Sequence, residues 1–113
     1  MSFDNEIGRY SLWYYGKLSD DSRGIAFIRL YNNDRTSIGR VYFYKDSQEL
    51  PDNFANESTT PKRAYLRMHV SQMDKIVDML RNEKPCRVVY YSPTLAYIYT
   101  GKEPVGEEET DEE

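Results

Sequence analysis

The spacing of apolar and polar positions divides this chain into short extended runs and one helical one. In residues 63 to 80, "RAYLRMHVSQMDKIVDML", the two kinds of side chain alternate from Ala64 to Val70. From there the apolar positions recur at Met73, Ile76, Val77 and Leu80, the i, i+3, i+4, i+7 stripe of an amphipathic helix. A strand is therefore expected to pass into a helix at Ser71. That residue reads as the N-cap, with Asp74 bonding back as in a capping box. Pro85 ends the helix, because its ring and missing N–H cannot continue one.

Upstream lie "RYSLWYYGKL" (9 to 18), "GIAFIRLY" (24 to 31) and "IGRVYFYK" (38 to 45), rich in β-branched and aromatic residues. The short turn clusters between them, Ser19 to Ser22 and Asn32 to Asp34, predict antiparallel hairpins. Residues 46 to 62 read as a long polar loop bracketed by Pro51 and Pro61. Downstream, "RVVYY" (87 to 91) and "LAYIYT" (95 to 100) flank Ser92-Pro93-Thr94 and predict a last hairpin. The expected fold is α+β: a single twisted antiparallel sheet of four strands, then one amphipathic helix on one face, then a C-terminal hairpin. The length of 113 residues bounds one domain, expected over 1–104, with 105–113 as a disordered acidic tail.

One helical stripe covers one face of a sheet and leaves the other bare. The parity that suits the covered face is Tyr10, Leu12 and Tyr14; Ala26, Ile28 and Leu30; Val41 and Phe43; Ala64, Leu66, Met68 and Val70. The opposite parity holds Trp13, Tyr15 and Lys17; Phe27, Arg29 and Tyr31; Arg40, Tyr42 and Tyr44; Tyr65, Arg67 and His69. The bare face is thus expected to be an aromatic platform carrying cations. The composition agrees, with 14% aromatic residues, 11 of them tyrosine, in a chain that is 30% charged.

The net charge of −4 hides a segregation. The last seven residues, "EEETDEE", hold six acids and no base; the remainder has 15 basic against 13 acidic residues and is mildly cationic. The N-terminal "MSFDNEIGRY" has no secretory character, and no apolar run reaches membrane-spanning length. Cys86 is the only cysteine, so no internal disulfide is expected, and a cytoplasmic location follows.

Rings and cations on one surface suit single-stranded nucleic acid, whose unpaired bases stack and whose phosphates need Lys or Arg. Trp13, Tyr15, Phe27, Tyr31, Tyr42, Tyr44 and Tyr65 are the expected stacking residues. Lys17, Arg29, Arg40 and Arg67 are the expected phosphate contacts, with Lys62 and Arg63 extending the track. The alternative reading is a protein-binding adaptor or inhibitor whose aromatic face meets a second copy or a partner. A homodimer is expected, and the acidic tail is a candidate site for a protein partner. Nothing points to an enzyme: His69 is the sole histidine, no metal-chelating spacing exists, no phosphate loop is present, and no cofactor is expected.

Strands leading through "AYLRMHVSQMDKIVDML" into a helix give a layout, over residues 9 to 84, that resembles the repeat unit of the Whirly and PUR-type single-stranded DNA-binding proteins. The resemblance implies a curved sheet that holds the nucleic acid, and pairing of two chains, since no second copy of the unit is found. The lysine–glycine–lysine motif of Whirly proteins is absent.

Overall fold

The computed structural model describes residues 2–17 and 24–101. The expected acidic tail at 105–113 and the turn at Ser19 to Ser22 lie outside the described residues. The elements, in chain order, are β1 (Phe3–Ile7), β2 (Arg9–Tyr14), β3 (Ala26–Tyr31), β4 (Ser37–Tyr44), β5 (Phe54–Asn56), β6 (Arg63–His69), a 3₁₀ turn (Val70–Gln72), α1 (Met73–Asn82), β7 (Cys86–Ser92) and β8 (Leu95–Thr100).

The fold is α+β and rich in sheet; among the described residues it has one α-helix and two sheets, where a single four-stranded sheet was expected. Five strands run in the order β2-β3-β4-β6-β5, and three in the order β1-β7-β8. The hairpin over 87 to 100 is found, as β7 and β8. Its sheet mate β1, "FDNEI", escapes a sequence reading because three polar residues fill its centre. Phe3 and Ile7 still pack against the core, and between them the Asn5 side-chain amide donates to the Lys62 carbonyl at 2.8 Å.

Gly8 alone separates β1 from β2, so nearly continuous chain passes from one sheet to the other. Its N–H donates to the Tyr31 carbonyl at 2.7 Å, and a Cβ there would press on the backbone of Asn33. Only glycine fits this corner.

The second correction concerns strand direction. β2, β3 and β4 are antiparallel as expected, but β6 runs parallel to β4, with Val41 beside Leu66 and Tyr42 beside Arg67. A parallel neighbour needs a long return path, and residues 45 to 62 supply it. They pass the far end of β6, add β5 antiparallel along its outer side, and turn back. The polar loop therefore contains a short strand. Gly39 permits the parallel contact: its φ is +137°, and a Cβ would collide with the Ala64 carbonyl oxygen.

The inner faces of both sheets and one side of α1 form the core. Ala26, Ile28, Leu30, Ile38, Val41, Phe43, Ala64 and Leu66 from the larger sheet meet Val88, Tyr90 and Ile98 from the smaller one and Met73 and Ile76 from the helix. The covering layer is thus a helix plus a second sheet, not the helix alone. The helix begins after the 3₁₀ turn, and Ser71 makes no cap; its N–H donates instead to the Asp46 carboxylate at 3.1 Å. No helix among the described residues is long and apolar enough to cross a membrane.

Asn53 fastens the two sheets together. Its backbone N–H and side-chain amide donate to the Pro93 carbonyl at 2.9 and 3.1 Å, while its side-chain oxygen accepts from the Arg67 N–H at 2.9 Å.

Two substitutions test this account by urea unfolding. Leu66→Ala, at a site only 1% exposed, is expected to cost about 2–5 kcal/mol by leaving a cavity. Gly39→Ala is expected to cost at least about 2 kcal/mol despite adding a single methyl group, through strain at positive φ and the Ala64 collision.

Candidate functional site

The strand register decides which side chains share the outer face of the larger sheet. One cross-strand row runs Trp13, Phe27, Tyr42, Arg67, and the next runs Ser11, Arg29, Arg40, Tyr65, Phe54. Tyr44 and His69 pair at one end, and Tyr31 lies opposite Arg9 at the other. Tyr15 joins the face beside Phe27, their ring centroids 5.6 Å apart. The parity read from the sequence therefore places rings and arginines together on one side, but the opposite side of β2 is covered only at Tyr10: Leu12 and Tyr14, expected to be covered, are exposed.

Within that face the guanidinium groups lie against rings. The Arg40 Cζ is 4.6 Å from the Phe27 centroid, and the Arg67 Cζ is 5.2 Å from Tyr42 and 5.0 Å from Phe54. Arg29 is 5.9 Å from the Tyr31 ring. Such contacts stabilise by about 0.5–1 kcal/mol where exposed and by about 2 where dry, and they hold the charged group close to the rings. Ring pairs continue the surface: Trp13 stacks on Phe27 at 5.5 Å, and Phe54 on Tyr65 at 4.4 Å with their planes 5° apart. The Trp13 indole N–H donates to the Ser11 hydroxyl at 2.9 Å, which helps to fix its ring.

The rings differ in access. Trp13 is 47% and Phe54 41% exposed, whereas Phe27 is 6% exposed and Tyr44 fully buried. Phe27 is covered by its neighbours on the face itself, so its place as a direct stacking ring passes to Arg40 above it. Tyr44 is a support: Arg67 donates a hydrogen bond to its hydroxyl. Burial pushes the Tyr44 phenol above its ordinary value of 10.0, and the bond from Arg67 and that residue's charge pull against the rise. His69 is likewise engaged, its Nε2 lying 2.8 Å from the Gln48 carbonyl oxygen, to which it donates.

Lys62 and Lys17 do not join the cluster. The Lys62 ammonium lies 5.9 Å from the Phe3 ring and 3.9 Å from the Glu57 carboxylate, toward the smaller sheet. Lys17 is exposed beyond the end of β2. Arg63 shares the parity of Tyr65 and Arg67 at the start of β6. Phe54 went unread in the sequence, because "PDNFANE" shows one aromatic residue among polar ones and no alternation. Only its pairing with Tyr65 reveals it as part of the face.

Charge balance on this face is one-sided. Among the described residues, no carboxylate lies within 4.0 Å of Arg29, Arg40, Arg63 or Arg67; the ion pairs found join Lys62 to Glu57, and Arg87 to Asp4 and Glu6. The Nε atoms of Arg29, Arg63 and Arg67 are buried without a hydrogen-bond partner among those residues. An open groove of about 750 Å³ lies on this face, lined by Arg40, Tyr42, Phe54, Ala55, Asn56, Glu57, Ser58 and Tyr65. Such a surface can stack planar groups and bind anions.

Comparison with known proteins finds no family model, no curated protein and no solved structure that matches this chain.

The Tyr44 environment gives a pH test. Its phenol holds its proton more tightly folded than unfolded, so that stability is complete below pH 10.0 and is lost as pH rises through the folded-state value. Tyr44→Phe, followed by chemical unfolding from pH 8 to 11, is expected to show a shallower alkaline decline than the parent protein. At pH 8 it should be less stable by about 1–3 kcal/mol, because Arg67 loses its acceptor.

Proposed function

We propose that this chain binds single-stranded DNA or RNA across the outer face of its larger sheet, with little sequence preference. The observation that carries the reading is the set of arginines on that face, Arg29, Arg40 and Arg67 lying against aromatic rings and Arg63 sharing their side of β6, with, among the described residues, no carboxylate within ion-pair distance. Four interstrand gaps of about 4.8 Å make the face about 19 Å wide from β2 to β5, room for a few nucleotides.

Trp13 at one edge and the Phe54–Tyr65 pair at the other offer ring surface to bases, each stack contributing about 1–3 kcal/mol. Between them the outer surface is guanidinium: Arg40 over Phe27 and Arg67 over Tyr42 present planes that stack on a base and N–H groups that reach a phosphate. Rings and planar cations accept any base, which accounts for low specificity. A duplex would shield its bases from such a platform, and the one helix buries its apolar side in the core rather than offering it to a groove. A dry protein partner is the less favoured occupant, since it would bury these guanidinium groups without anions to meet them.

Titration with a fluorescent oligo-dT strand at about 50 and 200 mM salt tests the reading. Affinity is expected to fall steeply with salt. Arg40→Ala with Arg67→Ala should lower it at least about tenfold and flatten the logarithmic salt dependence by roughly 1.4, about 0.7 for each phosphate no longer neutralised. Phe54→Ala and Trp13→Ala should weaken binding with the salt dependence unchanged. Absence of binding to both oligo-dT and oligo-rU at the lower salt would end the proposal.

A further inference from the structure

The smaller sheet also has an outer face, and its side chains divide by strand. Edge strand β1 contributes Asp4 and Glu6; central β7 contributes Arg87 and Val89; edge strand β8 contributes Tyr97 and Tyr99, joined by Leu95 and Tyr91 near the hairpin turn. The register aligns them in two rows, Asp4–Val89–Tyr97 and Glu6–Arg87–Tyr99. Tyr91 is 59% exposed, Leu95 48%, Tyr97 42% and Tyr99 38%, so large apolar surface lies open beside a groove of about 650 Å³. The Arg87 guanidinium is already neutralised, its Nε 2.6 Å from Asp4 and Nη1 3.7 Å from Glu6.

We propose that this face is a dimer interface and that its occupant is a second copy of the same chain, packed sheet on sheet about a two-fold axis running along β7. The two edges of the face complement each other. A rotation about that axis lays β1 of each chain over β8 of the other. Asp4 then meets the partner's Tyr97, and Glu6 the partner's Tyr99, so that carboxylates face phenol donors in both halves of the interface. Val89 of both chains meets at the centre, and so do the two Arg87 guanidinium groups, each already paired with Asp4 and Glu6 of its own chain. A two-fold axis across the strands would instead set the acidic strand against itself, with Asp4 and Glu6 opposed to like charges, and is disfavoured. The face carries acceptors at one margin and donors at the other, which is what an isologous contact requires. Such a dimer is independent of what the arginine face binds, because that face lies on the other sheet and points away from the shared core.

Three strands about 4.8 Å apart and six residues at about 3.3 Å each make a patch roughly 14 by 20 Å. That is smaller than the roughly 800 Å² per partner of a standard interface, so a weak, concentration-dependent dimer is expected. Sedimentation equilibrium from about 1 to 300 μM should show the mass rising from 13.4 kDa toward twice that value. Tyr97→Ser with Tyr99→Ser should raise the dissociation constant at least tenfold while the circular dichroism spectrum still reports a folded monomer. Phe54→Ser, on the arginine face, should leave dimerisation intact. The axis is tested by mixing Asp4→Cys and Tyr97→Cys proteins under mild oxidation. The mixture should give a cross-linked heterodimer in greater yield than either variant gives of homodimer. A monomer at every concentration, or a dimer indifferent to the two tyrosine changes, would overturn the proposal, and preferential Asp4→Cys homodimers would overturn the axis.

Discussion

The parallel contact between β4 and β6 decides where the other parts of this molecule go. It depends on the backbone of Gly39 lying against the Ala64 carbonyl, a closeness that any side chain at that position would prevent. Once the two strands run together, Val41 and Leu66 face the core side by side, and on the reverse Tyr42 stands next to Arg67 and Arg40 next to Tyr65. An antiparallel pairing in another register would give the faces other neighbours, and the guanidinium groups would not reach these rings. The same direction of travel forces residues 45 to 62 to loop outside β6, which delivers Phe54 to the sheet edge. Chain direction, core and surface chemistry thus share one cause.

That surface is a compromise between support and access. Arg67 lies over Tyr42 and beside Phe54 while bonding to Tyr44 beneath. These attachments order a side chain that would otherwise lose considerable rotamer freedom on binding a ligand. The cost is visible in the same place: the buried Nε atoms of Arg29, Arg63 and Arg67 have no hydrogen-bond partner among the described residues. Rings lie against Arg29 and Arg67 without offering an acceptor of comparable strength. Positive charge is held close to the sheet and preorganised, with no carboxylate of the described residues within 4.0 Å of it.

The sequence makes the face legible but not the architecture around it. Period-two alternation assigns Tyr42, Tyr65 and Arg67 to one side without knowledge of strand order, because parity survives any pairing direction. Strand direction is a different matter: "RAYLRMH" reads the same beside a parallel or an antiparallel neighbour, so the β4–β6 arrangement was hidden. β1 was hidden because its inward positions are only Phe3, Asn5 and Ile7, too few and too polar to signal a strand. Alternation alone also could not separate exposed Trp13 from fully buried Tyr44, since access depends on the loop and neighbours that cover a residue. Ser71 had the chemistry of a cap, but Asp46, distant in sequence, claimed its N–H and a 3₁₀ turn took the place of the cap.

Gly8 has a consequence for how the molecule comes apart. One length of chain, Phe3 to Tyr14, belongs to both sheets with a single residue between its two halves. Lifting β1 from β7 therefore pulls on β2, and Asn53 couples the opposite end, where the β7–β8 hairpin meets β6. The two sheets are thereby made one cooperative unit. The amide protons of β3 and of β7 are therefore expected to exchange through a common opening event.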